Sequence, residues 1–424
     1  MQKLLRWSSW IKGRIPADVQ RWEREHYIPL KPYELINKLI ERAELKSAES
    51  DGQADLSIQT ERLRLLAKSI VDIIHRQYRA HHEQLIRLYD AFDPDVDVRA
   101  ISPVSPLANA ESREASCRRL FSEISDSLDL ANYRRLKPSE IQETLNAASH
   151  WGVRLKIRFS SFRRLEVYGR GDIVTKRLKR DWRRMFRWQE CDVPIYQRLF
   201  VLFRTKELQS FPELLDPECI HIRMFKNIPK LDVDMMLPGS QIQLSWTDTS
   251  KIGIPTLWGL FMLASKLVKS FWLLALLGAF KIVSSFVLIV AIAVASAVYA
   301  IKSVLSYSTT KRRYQLDLAR NLYYQNLANN LGALLRLVDE AEQQEACEGI
   351  LAFYVLHQDT REVLTTEEMD QSAEDLLRSL VGTDVDFDAE NAIRDLLAIG
   401  LIENQSEGWR ALAVEEAIQK IAAR

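Results

Sequence analysis

Residues 194–205 read PIYQRLFVLFRT and residues 164–171 read RLEVYGRG, and these two stretches set the fold class. Apolar and polar side chains alternate along both, the period of two that belongs to a half-buried strand. VRLKIRF at 153–159, CIHIRMF at 219–225 and QIQLSW at 241–246 follow the same pattern. Gly169 and Gly171 bracket Arg170 in an expected turn; GRG alone is too short to serve as a phosphate loop. Upstream the period becomes helical. Pro32 opens PYELINKLIERAEL, and a long run over 57–92 spaces Leu63, Leu66, Ile70, Ile73, Ile74, Tyr78, Leu85 and Leu88 for one helix. A further helical region covers 107–130, and Pro138 starts another. Residues 1–250 are thus expected to form an α+β domain, helical over 24–150 with a small, mostly antiparallel sheet over 151–250.

Composition narrows the class. The 424 residues contain 58 Lys+Arg, 57 Asp+Glu, 14 Gly and 13 Pro, with 47% hydrophobic and 27% charged residues. Those values exclude global disorder and a polytopic transporter, and the few glycines and prolines favour long helices. Cys117, Cys191, Cys219 and Cys347 lie far apart without CxxC spacing, which fits a reducing compartment rather than a disulfide framework or zinc knuckle. The net charge of +1 conceals a division. Residues 339–424 hold 21 acidic and 6 basic side chains, net −15, leaving +16 on the remainder. Opposite fields on one chain imply docking between the two parts, or separate partners.

Between Asp248 and Asp317 no carboxylate occurs, and 252–301 carries three charges, Lys266, Lys269 and Lys281. Ile282–Ile301, IVSSFVLIVAIAVASAVYAI, carries none. As a helix it would span about 30 Å, the hydrocarbon thickness of a bilayer. The expectation is a transmembrane helical hairpin, with spans near 254–277 and 282–301. One span preceded by a surface amphipathic helix is the other arrangement the sequence allows. Lys266 and Lys269 are three apart and share a helix face, where an oligomer's interior could take them. Lys302, Lys311, Arg312, Arg313 and Arg320 follow the second span. The positive-inside bias then puts both soluble parts on the cytoplasmic, or matrix or stromal, side. The N-terminal residues lack the apolar core and cleavage site of a signal peptide.

Arg154–Arg187 holds 13 basic residues against Glu166, Asp172 and Asp181. Its second half, TKRLKRDWRRMFRW, reads as a helix with interleaved aromatics. The candidate binding residues are Arg163, Arg164, Arg170, Lys176, Arg177, Lys179, Arg180, Trp182, Arg183, Arg184, Arg187 and Trp188. Such a stretch suits anionic lipid headgroups, the acidic C-terminal part or an acidic protein, with nucleic acid a third candidate. After a connecting helix over 302–338, residues 339–424 read as three helices, two short strands around Gly408 and a last helix. That is the layout of a winged helix. Its acidity repels phosphate, so protein interaction is expected there rather than DNA binding.

No catalytic signature emerges. His75 and His82 are seven apart on one helix, not the i,i+4 of a metal helix, and His81 adds no such pair. Cys219 and His221 alternate on one strand without a third member. Asp232 and Asp234 border a turn. Neither a metal nor a cofactor is expected. Taken together, REHYIPLKPYELINKL, RRLEVYGRG, PIYQRLFVLFRTKE, IHIRMFKNIPKLDVDMMLPG and the hydrophobic block after them resemble the transmembrane protein 143-like family over roughly residues 24–301. The resemblance implies a membrane-bound protein, mitochondrial in eukaryotes, and brings no established reaction or active site. The lack of an evident organelle presequence favours a bacterial inner membrane over a mitochondrial one. The expected role is a membrane-anchored, non-enzymatic scaffold or adaptor, binding protein through the acidic winged helix and anionic lipid or protein through the basic stretch. The alternatives are an oligomeric pore lined by Lys266 and Lys269 and, third, an enzyme acting on lipid or peptide.

Overall fold

The computed structural model describes residues 24–48, 53–95, 110–137, 139–141, 154–156, 159–181, 187–206, 215–237, 241–243, 323–359, 361, 363–405 and 408–422, with isolated positions between 265 and 316. The chain forms two compact units: Met1–Lys137 with Ser160–Lys230 and Asn326–Arg424, and Pro138–Phe159 with Leu231–Gln325.

The first unit opens with helices α1 (Pro32–Ala48), α2 (Gln53–Tyr89) and α3 (Ala110–Leu130), then a two-residue strand β1 (Arg134–Arg135). In the second unit β2 (Arg154–Lys156) pairs with β6 (Gln241–Gln243) in an antiparallel ribbon, Leu155 opposite Ile242. VRLKIRF and QIQLSW therefore pair with each other and stand outside the main sheet. That sheet belongs to the first unit. Its strands β3 (Phe162–Asp181), β4 (Arg187–Thr205), β5 (His221–Pro229) and β7 (Asn326–Asn329) join β1 in the order β1–β3–β4–β5–β7, every pairing antiparallel. Then follow α4 (Asn330–Gln358), α5 (Thr366–Val381), α6 (Ala389–Ile399), the hairpin β8 (Ile402–Gln405) and β9 (Gly408–Ala411), and α7 (Val414–Ala422).

Helix α4 organises this unit because it serves two apolar cores. Its first half, through Ala333, Leu334, Leu337, Val338 and Ala341, packs with α3 and with Tyr168, Phe200, Leu202, Ile222 and Met224 of the sheet. Its second half, Ala346 to Leu356, packs with α1, α2, α5, α6 and the terminal hairpin. Position 339, where the sequence suggests a domain boundary, lies within this unbroken helix. The C-terminal elements have the winged-helix order. Thr365 and Glu368 form a capping box on α5, as TTEE foretells, and Gly382 and Gly400 end α5 and α6 at positive φ.

Four expectations are corrected. Among the described residues no helix is long and apolar enough to cross a membrane, so the transmembrane fold class is overturned and an α+β architecture remains. The spans placed at 254–277 and 282–301 fall largely outside the described residues; within them Ser265, Lys269, Val294, Val298 and Ile301 are helical. Hydropathy measures apolar content, whereas a span also requires an unbroken helix of full length, and periodicity-free apolar runs do not specify one. The integral-membrane location rested on that hairpin, which no helix among the described residues supplies. Second, Thr175–Asp181 continues β3 instead of starting a helix, held by cross-strand partners from Thr175↔Val193 to Asp181↔Arg187. Non-local pairing overrides the local pattern there. Third, GRG lies inside β3, not in a turn. Fourth, the connecting helix expected over 302–338 is interrupted by β7. Asn330 adopts φ 47°, accepts from the Ile222 amide at 3.2 Å and donates to Asp95 at 2.7 Å, fixing the strand-to-helix junction.

The wing is pinned to the helices by Leu364, which exchanges backbone hydrogen bonds of 3.1 and 2.8 Å with Trp409. A Cβ on Gly408 would lie 2.3 Å from the Leu364 carbonyl oxygen. Gly408→Ala should therefore destabilise the protein by about 1–3 kcal/mol. Urea midpoints will show this against Gly332→Ala, whose added methyl meets nothing nearer than 4.0 Å.

Candidate functional site

Between the two cores, α4 carries a buried polar layer: Glu340, Gln344, Glu345 and Glu348. A carboxylate here is costly unless charged donors surround it. Glu340 is so surrounded. Its Oε2 accepts from Arg170 Nη2 and from the Tyr133 hydroxyl, both at 2.7 Å, and its Oε1 accepts from Arg336 at 3.3 Å and Arg198 at 3.4 Å. Burial raises its pKa, but the three guanidiniums and the phenol outweigh that and hold it below the usual range. Arg170 also donates to the Ala131 carbonyl at 2.9 Å and lies between two rings, Tyr27 at 4.2 Å and Tyr133 at 4.6 Å.

A second pair adjoins it along the chain. Lys230 Nζ donates to Asp172 at 2.5 Å and lies 5.1 Å above the Tyr196 ring; both members of the pair are buried. The backbone explains how the two sites come together. Gly171 has φ 74° and Asn227 φ 53°, and the registers Arg170↔Arg198, Asp172↔Tyr196, Lys226↔Arg198 and Ile228↔Tyr196 place both opposite Gln197. A Cβ on Gly171 would meet Gln197 at 2.7 Å, so only glycine fits this kink. The amide that the kink exposes at Asp172 is taken by the Glu25 carboxylate. The same N-terminal segment is fixed farther along, where Gln344 bonds both the Ile28 amide, at 3.0 Å, and its carbonyl, at 3.1 Å. Arg24 meets Glu374, and Asp386 at 3.4 Å.

The remaining acids of α4 are of another kind. Glu345 is pushed up to about 10, chiefly by burial, then by its hydrogen bond with Asp395 and the proximity of Glu348. Burial raises Glu348 to about 8, partly offset by Asn132, which donates at 2.8 Å. Both are protonated at neutral pH, so the layer holds one charged carboxylate and two neutral ones.

The basic residues singled out by composition separate into distinct settings. Arg163 lies 3.9 Å from Glu114, and Arg164 pairs with Glu166 at 2.9 Å while its guanidinium covers Phe121 at 4.1 Å. Arg170 is withdrawn into the network above. Lys176 is exposed and pairs with Glu190 at 3.5 Å. Arg177, Lys179 and Arg180 are in β3, Arg187 and Trp188 in β4. Trp182, Arg183, Arg184, Lys266 and Lys281 lie outside the described residues, and Lys269 is helical and exposed. His75 meets Glu342 at 2.8 Å and His81 meets Ser127 at 3.0 Å. His221 stacks on Phe203 at 5.1 Å, and burial lowers its pKa. Among the described residues no group of three His, Cys, Asp or Glu is arranged to hold a metal.

A family model described as a protein of unknown function, DUF3754, matches residues 196–332. No curated protein and no solved structure matches the chain. The matched segment contains Tyr196, Arg198 and Lys230, but not the other members of the two sites, Arg170, Asp172, Glu25 and Glu340. Sequence reasoning also missed those members, apart from Arg170. The apolar run EACEGILAFYVLH offered a signal for Glu345 and Glu348 alone, since carboxylates on the buried stripe of a helix require partners or protonation; no comparable signal marked Glu25, Asp172 or Glu340.

Glu340→Gln leaves Arg170 buried without its counter-charge and should cost about 3–5 kcal/mol. Chemical unfolding will measure this, and Arg170→Met combined with Glu340→Leu should recover part of the loss. The protonated pair gives the opposite dependence to an ordinary salt bridge. Each folded pKa exceeds the ordinary 4.5, so this stability is complete below that value and is lost as pH rises through about 8 and about 10. Glu348→Gln should flatten the fall in thermal midpoint between about pH 5 and about pH 8.

Proposed function

We propose that the protein is a non-enzymatic adaptor that binds other proteins through its charged surfaces. The supporting observation is how its ionisable groups are spent. The buried acids and bases that a reaction would need are engaged with one another at the Glu340 and Asp172 sites, while opposite charges remain on exposed elements. Exposed acids stand on α5 to α7, among them Glu367, Glu390 and Glu416, and the sequence over 173–195 is basic. A polar network closed on itself holds a scaffold together and leaves recognition to the surface.

The reading is tested by cross-linking the full-length protein in native extract and mapping the linked peptides. A defined partner should link to residues 173–195 or to 366–422, and Arg177→Glu with Arg180→Glu should abolish or redirect the first set. Cross-links unchanged by these substitutions, or turnover by the purified protein that Glu340→Gln abolishes, would remove the adaptor reading.

A further inference from the structure

Three cations stand in one row across the sheet. The registers Arg170↔Arg198 and Arg198↔Lys226 set residues of β3, β4 and β5 directly opposite one another. Residues so placed share a sheet face, with Cβ atoms about 5 Å apart. Two residues along each strand, the next row on that face is Tyr168, Phe200 and Met224, all part of the core that α3 and α4 cover. The cationic row is therefore where this core ends. α4 adds a fourth cation there, Arg336, one turn before Glu340.

Like charges directly opposite destabilise a sheet, so the row calls for negative charge. The described residues supply too little. Glu340 accepts from Arg170, Arg198 and Arg336, and Glu25, engaged at the Asp172 amide, is the next carboxylate whose field reaches Arg170. Four cations against two carboxylates leave a surplus of two positive charges. The other acids of α4 are committed: Asp339 accepts from Gln343 at 2.9 Å, Glu342 meets His75 at 2.8 Å, and Glu345 and Glu348 are neutral. The surplus lies toward solvent. Arg170 is buried, but the side chains of Arg198 and Arg336 are 27% and 42% exposed, and Lys226 is exposed. Arg198 and Arg336 share one Glu340 oxygen at 3.4 and 3.3 Å, longer than the about 2.7–2.9 Å of a strong charge-assisted bond. Among the described residues Arg336 makes no other hydrogen bond or ion pair, and Lys226 makes none.

The geometry points to an anion site formed by Arg198, Lys226 and Arg336 over the Glu340 carboxylate, with a phosphate monoester as its class of ligand. A monoester carries close to two negative charges at neutral pH, which matches the surplus, and presents three acceptor oxygens. Guanidiniums take such a group through paired N–H donors, and a lysine adds a point charge. Bonding to Glu340 through Nε leaves the terminal nitrogens of Arg336 for the ligand. Arg170 stays inside, holding Glu340 in place from below. A soluble ester and a phosphatidic acid headgroup offer the same chemistry. The site is separate from the exposed acids of α5 to α7, and the inference stands independently of the adaptor reading.

Isothermal titration of the full-length protein with inorganic phosphate and with glycerol phosphate, at neutral pH and constant ionic strength, tests it. Saturable binding should weaken about tenfold or more in Lys226→Gln with Arg336→Gln. It should be unchanged in Arg79→Gln with Arg87→Gln, which removes exposed arginines of α2. Lys226→Gln alone should raise the thermal midpoint in phosphate-free buffer, because it relieves the row, and should lose most of the rise that phosphate gives the wild type. Co-flotation with phosphatidylcholine vesicles, with and without phosphatidic acid, separates the two sources. Recruitment by phosphatidic acid without binding of the soluble probes assigns a lipid headgroup, and binding without recruitment assigns a soluble ester, each provided that the double substitution removes it. Absence of both overturns the inference, as does either one surviving unchanged in the double variant, or a phosphate-free midpoint that Lys226→Gln lowers.

Discussion

One helix has to satisfy two apolar cores and carry charge between them. α4 turns Leu334, Leu337 and Ala341 toward the sheet, then Cys347, Leu351 and Val355 toward the helical layer. At the crossing, Glu340 is buried and ionised, a state that water cannot stabilise there. Only donors brought from elsewhere can. Arg170 comes from β3, Arg198 from β4, Tyr133 from the turn before β1, and Tyr27 from the N-terminal segment covers the guanidinium. The carboxylate thereby sets which segments must meet.

The sheet accommodates this requirement by bending. Strands of regular pleat would carry Arg170 and Asp172 to one face, alternating with Gly171 on the other. Positive φ at Gly171 and Asn227, both opposite Gln197, interrupts that alternation on two neighbouring strands at one level. Arg170 then reaches Glu340, and Asp172 reaches Lys230. The irregularity frees an amide, and Glu25 accepts from it. Bulge, cap and ion pairs form one construction, and each part leaves an unsatisfied group if another is removed.

The elements themselves were legible where local pattern and tertiary demand agree. Alternation in PIYQRLFVLFRT and CIHIRMF marks strands β4 and β5; the spacing of Leu66, Ile70 and Ile74 marks α2; TTEE marks the start of α5. Misreadings occur where a distant partner decides. TKRLKRD has no strong preference of its own and becomes strand because residues 187–193 lie beside it. QIQLSW has a strand pattern, but nothing local says that its partner is 154–156 rather than the main sheet. The apolar stretch 252–301 has the composition of a span and lies largely outside the described residues. The network at Glu340 was the least legible part, since its members come from five separate stretches of sequence.

By itself the sequence determined the α+β class, most helices and strands, the wing-like order at the C-terminus and the separation of +16 from −15. These follow from periodicity, capping and counting, which need only neighbours along the chain. Tertiary structure alone decided that Arg170 is a buried counter-ion and not a surface cation, that Glu340 is charged while Glu345 and Glu348 are neutral, and that β3 and β4 outrun their sheet. A pKa, a burial or a free strand edge depends on what lies across the fold, and one chain's order of residues does not state which distant groups will share a dielectric.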